Sequence, residues 1–152
     1  MIELAVTIGI ALSLFFLESF GMAAGGIIVP GYVALQLGTP DRLVGLVLVA
    51  LITFFVLKLI GKFTFLFGRR QMVIALLVGT IFSMVSHHFM FINGQNTTLE
   101  FSAVGWVVPG LVAHWSLKQG FVKTISMLII ISSIARLLVI LCMGGEIIPN
   151  LY

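Results

Sequence analysis

Charge is scarce in this sequence: only 9% of its 152 residues are Asp, Glu, Lys or Arg, against roughly a quarter in a soluble globular domain. With 61% hydrophobic residues, the chain cannot cover a core of its own with polar surface. This excludes a free-standing soluble protein and predicts an integral membrane protein. The single cysteine, Cys142, excludes an intramolecular disulfide and a thiolate metal cluster. There is no Gly-x-x-x-x-Gly-Lys-Ser/Thr phosphate loop, no Gly-x-Ser-x-Gly elbow and no His-Glu-x-x-His pair. ATP-driven or hydrolytic chemistry would therefore have to come from another subunit. His87 and His88 are adjacent and would diverge by about 100° on a helix, and His114 stands alone, so no metal site is expected. The formal net charge of +3 fits the basic loops of a membrane protein and gives no reason to expect nucleic acid.

Long apolar runs are what the chain has in abundance. Charged residues divide it into stretches at Ile2 to Phe20, Gly21 to Gly38, Leu43 to Ile60, Gln71 to Ile92, Phe101 to Leu117 and Phe121 to Met143. The first, third, fourth and sixth approach the roughly 20 residues needed to cross a bilayer. Leu4 to Leu17 has the length of a signal-peptide core, but no basic residue precedes it and no A-x-A site follows. It is expected to be a retained helix. The second and fifth stretches are shorter, and each contains Val-Pro-Gly, at Val29-Pro30-Gly31 and Val108-Pro109-Gly110. Proline removes a helix hydrogen bond and glycine adds freedom. Each of these stretches is therefore expected to form two half-helices joined at an unwound point, with Pro30 and Pro109 opening the second halves.

The two interrupted segments also match one another. Gly26-Ile-Ile-Val29-Pro30-Gly31-Tyr-Val-Ala34 aligns with Gly105-Trp-Val-Val108-Pro109-Gly110-Leu-Val-Ala113, 79 residues later. An acid precedes each motif, Glu18 or Glu100, and an apolar run flanks it on either side. The expectation is an all-α membrane protein with one membrane domain over residues 1–152. It would be built from two tandem repeats of helix, broken segment and helix, at about 1–62 and 71–143. If both broken segments cross the membrane, Lys58, Lys62, Arg69, Arg70, Lys118 and Lys123 lie inside, against Arg42 outside. The halves are then inverted, and both termini are outside. Four spans with two re-entrant segments are the alternative, with a weaker charge bias.

Half-helix ends in the membrane present free N–H groups and a positive dipole, a recognised arrangement for holding anions. Gly26, Val29, Pro30 and Gly31, with Gly105, Val108, Pro109 and Gly110, are accordingly candidates for a polar path or gate. The alternative is that each proline merely kinks a helix for packing. Arg136 interrupts an apolar run about 20 Å along a helix from Lys123. It is a further path candidate, with Glu18 and Glu100 as candidate ion-pair partners; otherwise it snorkels or is structural. Arg69 and Arg70 follow Gly68 at a cytoplasmic boundary. They are a solvated topology signal or a docking point for an acidic partner or anionic head groups.

Taken in order, Gly26 to Leu35, Gly68-Arg69-Arg70 and Gly105 to Ala113 resemble the small membrane subunit of bacterial poly-γ-glutamate synthase, the CapC or PgsC family. The likeness extends over nearly the whole chain. It implies a multi-pass protein of the bacterial cytoplasmic membrane, working with an ATP-dependent amide ligase of the CapB or PgsB type and a membrane-anchored CapA or PgsA protein. ATP and Mg2+ are expected in the ligase, and no cofactor or catalytic residue is expected in this chain. The implied role is to support polymerisation and carry the anionic polymer across the membrane. Six short crossings are few for such a channel, so oligomerisation or shared walls would be needed. An anchor that activates the ligase without touching polymer, or an independent small-solute transporter, are the other readings.

Overall fold

Apolar runs in lipid have no water to satisfy their backbone groups, so they fold as helices, in which every interior N–H finds a carbonyl. The computed structural model describes residues 2–38, 40–65, 67–90 and 99–144, with side chains for all of these except 2, 87, 89, 90 and 99–104. These residues form α1 (Ile2–Phe20), α2 (Val29–Gln36), α3 (Pro40–Phe63), α4 (Arg69–Met90), α5 (Leu99–Gln119) and α6 (Phe121–Cys142). Four of them, α1, α3, α4 and α6, are long and apolar enough to cross a membrane. Phe15, Leu48, Leu77 and Leu137 are exposed on their outer faces, as suits contact with lipid. Hydroxyl groups on these helices bond back to their own backbone: Thr53 to the Val49 carbonyl at 2.8 Å and Ser133 to the Ile129 carbonyl at 2.8 Å. That keeps them from needing water.

Small residues set how closely the helices approach. A Cβ on Gly9 would fall 2.6 Å from the nitrogen of Gly31, and a Cβ on Gly79 would fall 2.6 Å from the nitrogen of Gly110. Backbone thus lies on backbone at the crossing of α1 with α2, and again at the crossing of α4 with α5. The direction of the first crossing follows from its contacts. Gly31 meets Ala5 and Val6, whereas the Ser13 hydroxyl donates to the Gly26 carbonyl at 3.3 Å. Residues 26–31 therefore run antiparallel to α1.

The contacts between helices have a regularity of their own. Exchanging α1, α2 and α3 with α4, α5 and α6 turns the α1·α2 contact into α4·α5, α2·α6 into α3·α5, α1·α6 into α3·α4 and α2·α3 into α5·α6. The α2·α5 contact maps onto itself and so lies at the centre.

Neither Val-Pro-Gly segment forms the two half-helices expected. In the first, residues 21–28 are irregular throughout, and Pro30 lies in the opening turn of the eight-residue α2. In the second, α5 continues unbroken through Pro109. The residues before each motif explain the difference. Gly25 and Gly26 take φ of +79° and +130°, conformations that glycine adopts without penalty. The position matching Gly25 is Val104, and a β-branched residue is a rare outlier at positive φ. α5 therefore retains its helix and gives up only the hydrogen bond that Pro109 cannot donate.

Candidate functional site: the paired Val-Pro-Gly segments

The two segments lie side by side and antiparallel. The Gly25 backbone packs against Val112 and Leu128, and a Cβ on Gly26 would lie 4.0 Å from Leu111 and 3.9 Å from the Trp115 indole nitrogen. At the other end, a Cβ on Gly105 would lie 2.5 Å from the Tyr32 hydroxyl. Gly26 against Leu111 and Tyr32 against Gly105 are the same contact with the two segments exchanged. Val29 and Val108 belong to one core cluster with Val33, Val112, Leu128 and Ile131.

Gly26, Val29, Pro30, Gly31, Val108, Pro109 and Gly110 are all buried, and Gly105 is partly buried. They are thus brought together at the centre of the protein. Val29 and Val108 pack in an apolar cluster, while Gly31 and Gly110 lie under neighbouring backbone. Polar groups lie around them. The Gln36 Nε2 donates to the Tyr32 hydroxyl at 2.8 Å, and both side chains are buried. Ser116 and Thr124 are buried and bond back to the carbonyls of Val112 and Gly120 at 2.7 and 3.0 Å. The Ser132 hydroxyl and His114 Nδ1 are buried without a hydrogen-bond partner among the described residues. Tyr32 lies within the first repeated segment, but neither it nor Gln36 nor His114 is singled out by the repeat, because Leu111 stands at the position matching Tyr32. The contact of the Tyr32 hydroxyl with Gly105 arises only when the segments pair.

Arg136 is half-buried on α6, about 22 Å along that helix from Phe121. Glu18 is exposed in the last turn of α1. α6 returns from α5 through Gly120 alone and so runs alongside residues 26–31 and antiparallel to α1. Glu18 consequently lies towards the start of α6, while Arg136 lies towards its far end. The side chain of Glu100 lies outside the described residues. Arg69 and Arg70 are exposed at the start of α4, and Lys58 and Lys62 are exposed near the end of α3. Lys118 places its ammonium 5.1 Å from the Trp115 ring centroid.

The family model for capsule biosynthesis CapC matches residues 8–125, a range that includes both motifs and Arg69-Arg70. The chain belongs to the CapC family. A PGA biosynthesis protein CapC of Bacillus subtilis (strain 168) is 32% identical over 130 residues, 85% of this chain and 87% of that protein. A capsule biosynthesis protein CapC of Bacillus anthracis is 29% identical over the same length and shares. No solved structure matches the chain. For this CapC-family chain, the match covers the whole central pairing of α2 with α5 but stops at residue 125, short of Arg136.

Proposed function

We propose that this protein is a membrane subunit of a poly-γ-glutamate capsule synthesis and export system. In that reading it holds a cytoplasmic ligase at the bacterial inner membrane and provides part of the route by which the anionic polymer leaves. Membership in the CapC family carries the capsule role. A polymer with a carboxylate on every unit cannot pass hydrocarbon unaided. Support for the route comes from the irregular backbone at 21–28, whose buried residues Ala23 to Gly26 include the contacts of Gly25 and Gly26 with α1, α5 and α6. Non-helical backbone at membrane depth is tolerated where protein buries it or where it lines a wet cavity.

The reading includes six crossings in two inverted halves. Residues 26–31 run against α1 and α5 runs against residues 25–32, so α1 and α5 share a direction and α6 opposes them. Lys58, Lys62, Arg69, Arg70, Lys118 and Lys123 then gather at one end, which the positive-inside rule makes cytoplasmic. The exchange symmetry of the helix contacts supports the repeat. The ligase, of the CapB or PgsB type with its ATP and Mg2+, docks at this end through Arg69 and Arg70. The membrane-anchored CapA or PgsA protein and further copies of this chain supply remaining walls.

The tight Gly9–Gly31 and Gly79–Gly110 crossings favour a second reading, a rigid anchor that activates the ligase and never contacts polymer. Cysteines introduced at Val29 and Val108, in a Cys142→Ser background, separate the two. A conduit predicts that they react with a water-soluble maleimide in working cells, and an anchor predicts that they stay dry. Cells lacking only this protein, with polymer measured separately inside and outside, test the function itself. Trapped polymer supports export, loss of synthesis supports activation, and unchanged external polymer refutes both. Arg136→Ala, stable and assembled, is expected to lower surface polymer; an unchanged export rate would remove Arg136 from the path.

A further inference from the structure

The turn between α3 and α4 has features that the polymer route does not use. Phe63, Phe65 and Phe67 are 92%, 89% and 77% exposed. Phe65 and Phe67 stack on one another, with centroids 6.4 Å apart and planes inclined by 22°. At its start the Thr64 N–H donates to the Ile60 carbonyl at 2.9 Å, and at its end Gly68 at φ +66° leads the chain into α4. Bare aromatic rings on a turn between two membrane-length helices are suited to the interfacial layer rather than to water.

The positive charges beside this turn face sideways. On α3 the buried stripe is Leu46, Val49, Ala50, Thr53 and Leu57. Lys58 and Lys62 are one turn apart and lie roughly 120–160° round the helix from the middle of that stripe. They share their face with Phe55 and Leu59, which are exposed. Lys58 starts about 8 Å below the end of α3, so its stem must run along apolar surface to bring the ammonium to the head-group level. No acid occurs in the sequence between Asp41 and Glu100, so this region supplies no counter-ion of its own.

We propose that the α3–α4 turn is a seat for an anionic phospholipid: Lys58 and Lys62 hold its phosphate, while Phe65 and Phe67 wedge beside the tops of its acyl chains. The two lysines share a lipid-facing stripe, which favours a lipid over a protein occupant. The seat is independent of ligase docking, assigned above to Arg69 and Arg70.

The test uses the full chain in nanodiscs of mixed phosphatidylglycerol and phosphatidylcholine, with the lipids retained after mild detergent extraction counted by native mass spectrometry. The parent is expected to retain phosphatidylglycerol preferentially. Lys58→Gln/Lys62→Gln should reduce that preference by up to about thirtyfold, on the scale of one basic residue's attraction to an anionic surface taken twice. Lys58→Arg/Lys62→Arg should restore it, and Phe65→Ser/Phe67→Ser should weaken retention of both lipids. Equal retention ratios in parent and Gln variant, both monodisperse, would overturn the proposal. It would equally be overturned if the Gln variant kept its lipid preference and instead lost an acidic protein partner on purification.

Discussion

Replacing Gly9 or Gly79 with alanine tests the arrangement at the centre of the fold. Each added methyl carbon would fall 2.6 Å from a backbone nitrogen of the facing segment, with the facing Cα closer still. Ordinary carbon contacts lie near 3.5–4.0 Å, so the segments must part by about 1 Å. The obstacle is main chain and has no rotamer to change. Overpacking of this kind costs about 1–3 kcal/mol, and rigid partners place both variants near the upper figure. At roughly 2–4 °C per kcal/mol for a chain of this size, melting should fall by about 6–12 °C. The assay is thermal unfolding in detergent, followed by fluorescence-detected size exclusion. The two substitutions should agree with each other, because the two crossings present the same atoms at the same distance. Melting within about 2 °C of the parent for both would refute the close crossings, since 1 kcal/mol already shifts melting by that much. A loss confined to one would refute their equivalence.

Three further outcomes follow from other contacts. Gly105→Ala should destabilise, because its methyl would lie 2.5 Å from the Tyr32 hydroxyl. Tyr32→Phe should partly relieve it, with a coupling of about 1 kcal/mol in a double-mutant melting cycle. Alone, Tyr32→Phe loses the bond from Gln36 and should cost about 1 kcal/mol in the same assay. Gly68→Ala meets no atom within 4 Å but holds φ at +66°, so it should cost about 1–2 kcal/mol from left-handed backbone alone. Its effect should be confined to the α3–α4 turn, as hydrogen exchange would show.

Much of the helical framework was legible because charge and hydropathy act locally. Glu3 and Lys62 bias helix ends, and uninterrupted apolar runs leave a backbone in lipid no alternative to helix. α1 occupies the Ile2 to Phe20 stretch defined by the sequence, and the four runs of spanning length became the four membrane-length helices. The fate of the two Val-Pro-Gly motifs was harder to see. The prolines alone make them equivalent, yet the deciding residues are Gly25 and Val104, five positions before Pro30 and Pro109 respectively. Glycine admits the positive φ that unwinds the first segment, and valine keeps the second helical.

By itself, then, the sequence determined that this is a helical membrane protein with two matched Val-Pro-Gly segments and a basic region between them. Those properties depend on residue type and on spacing along one chain. Only the tertiary structure decided that the two segments lie antiparallel at the centre, with Gly9 under Gly31 and Gly79 under Gly110. It also placed Tyr32 over Gly105 and set Lys58 and Lys62 beside the exposed Phe55 and Leu59. The glycine crossings and the Tyr32–Gly105 contact join residues distant in sequence, and the exposed lysine face depends on which side of α3 its neighbours bury. Both are set by how the helices pack against one another.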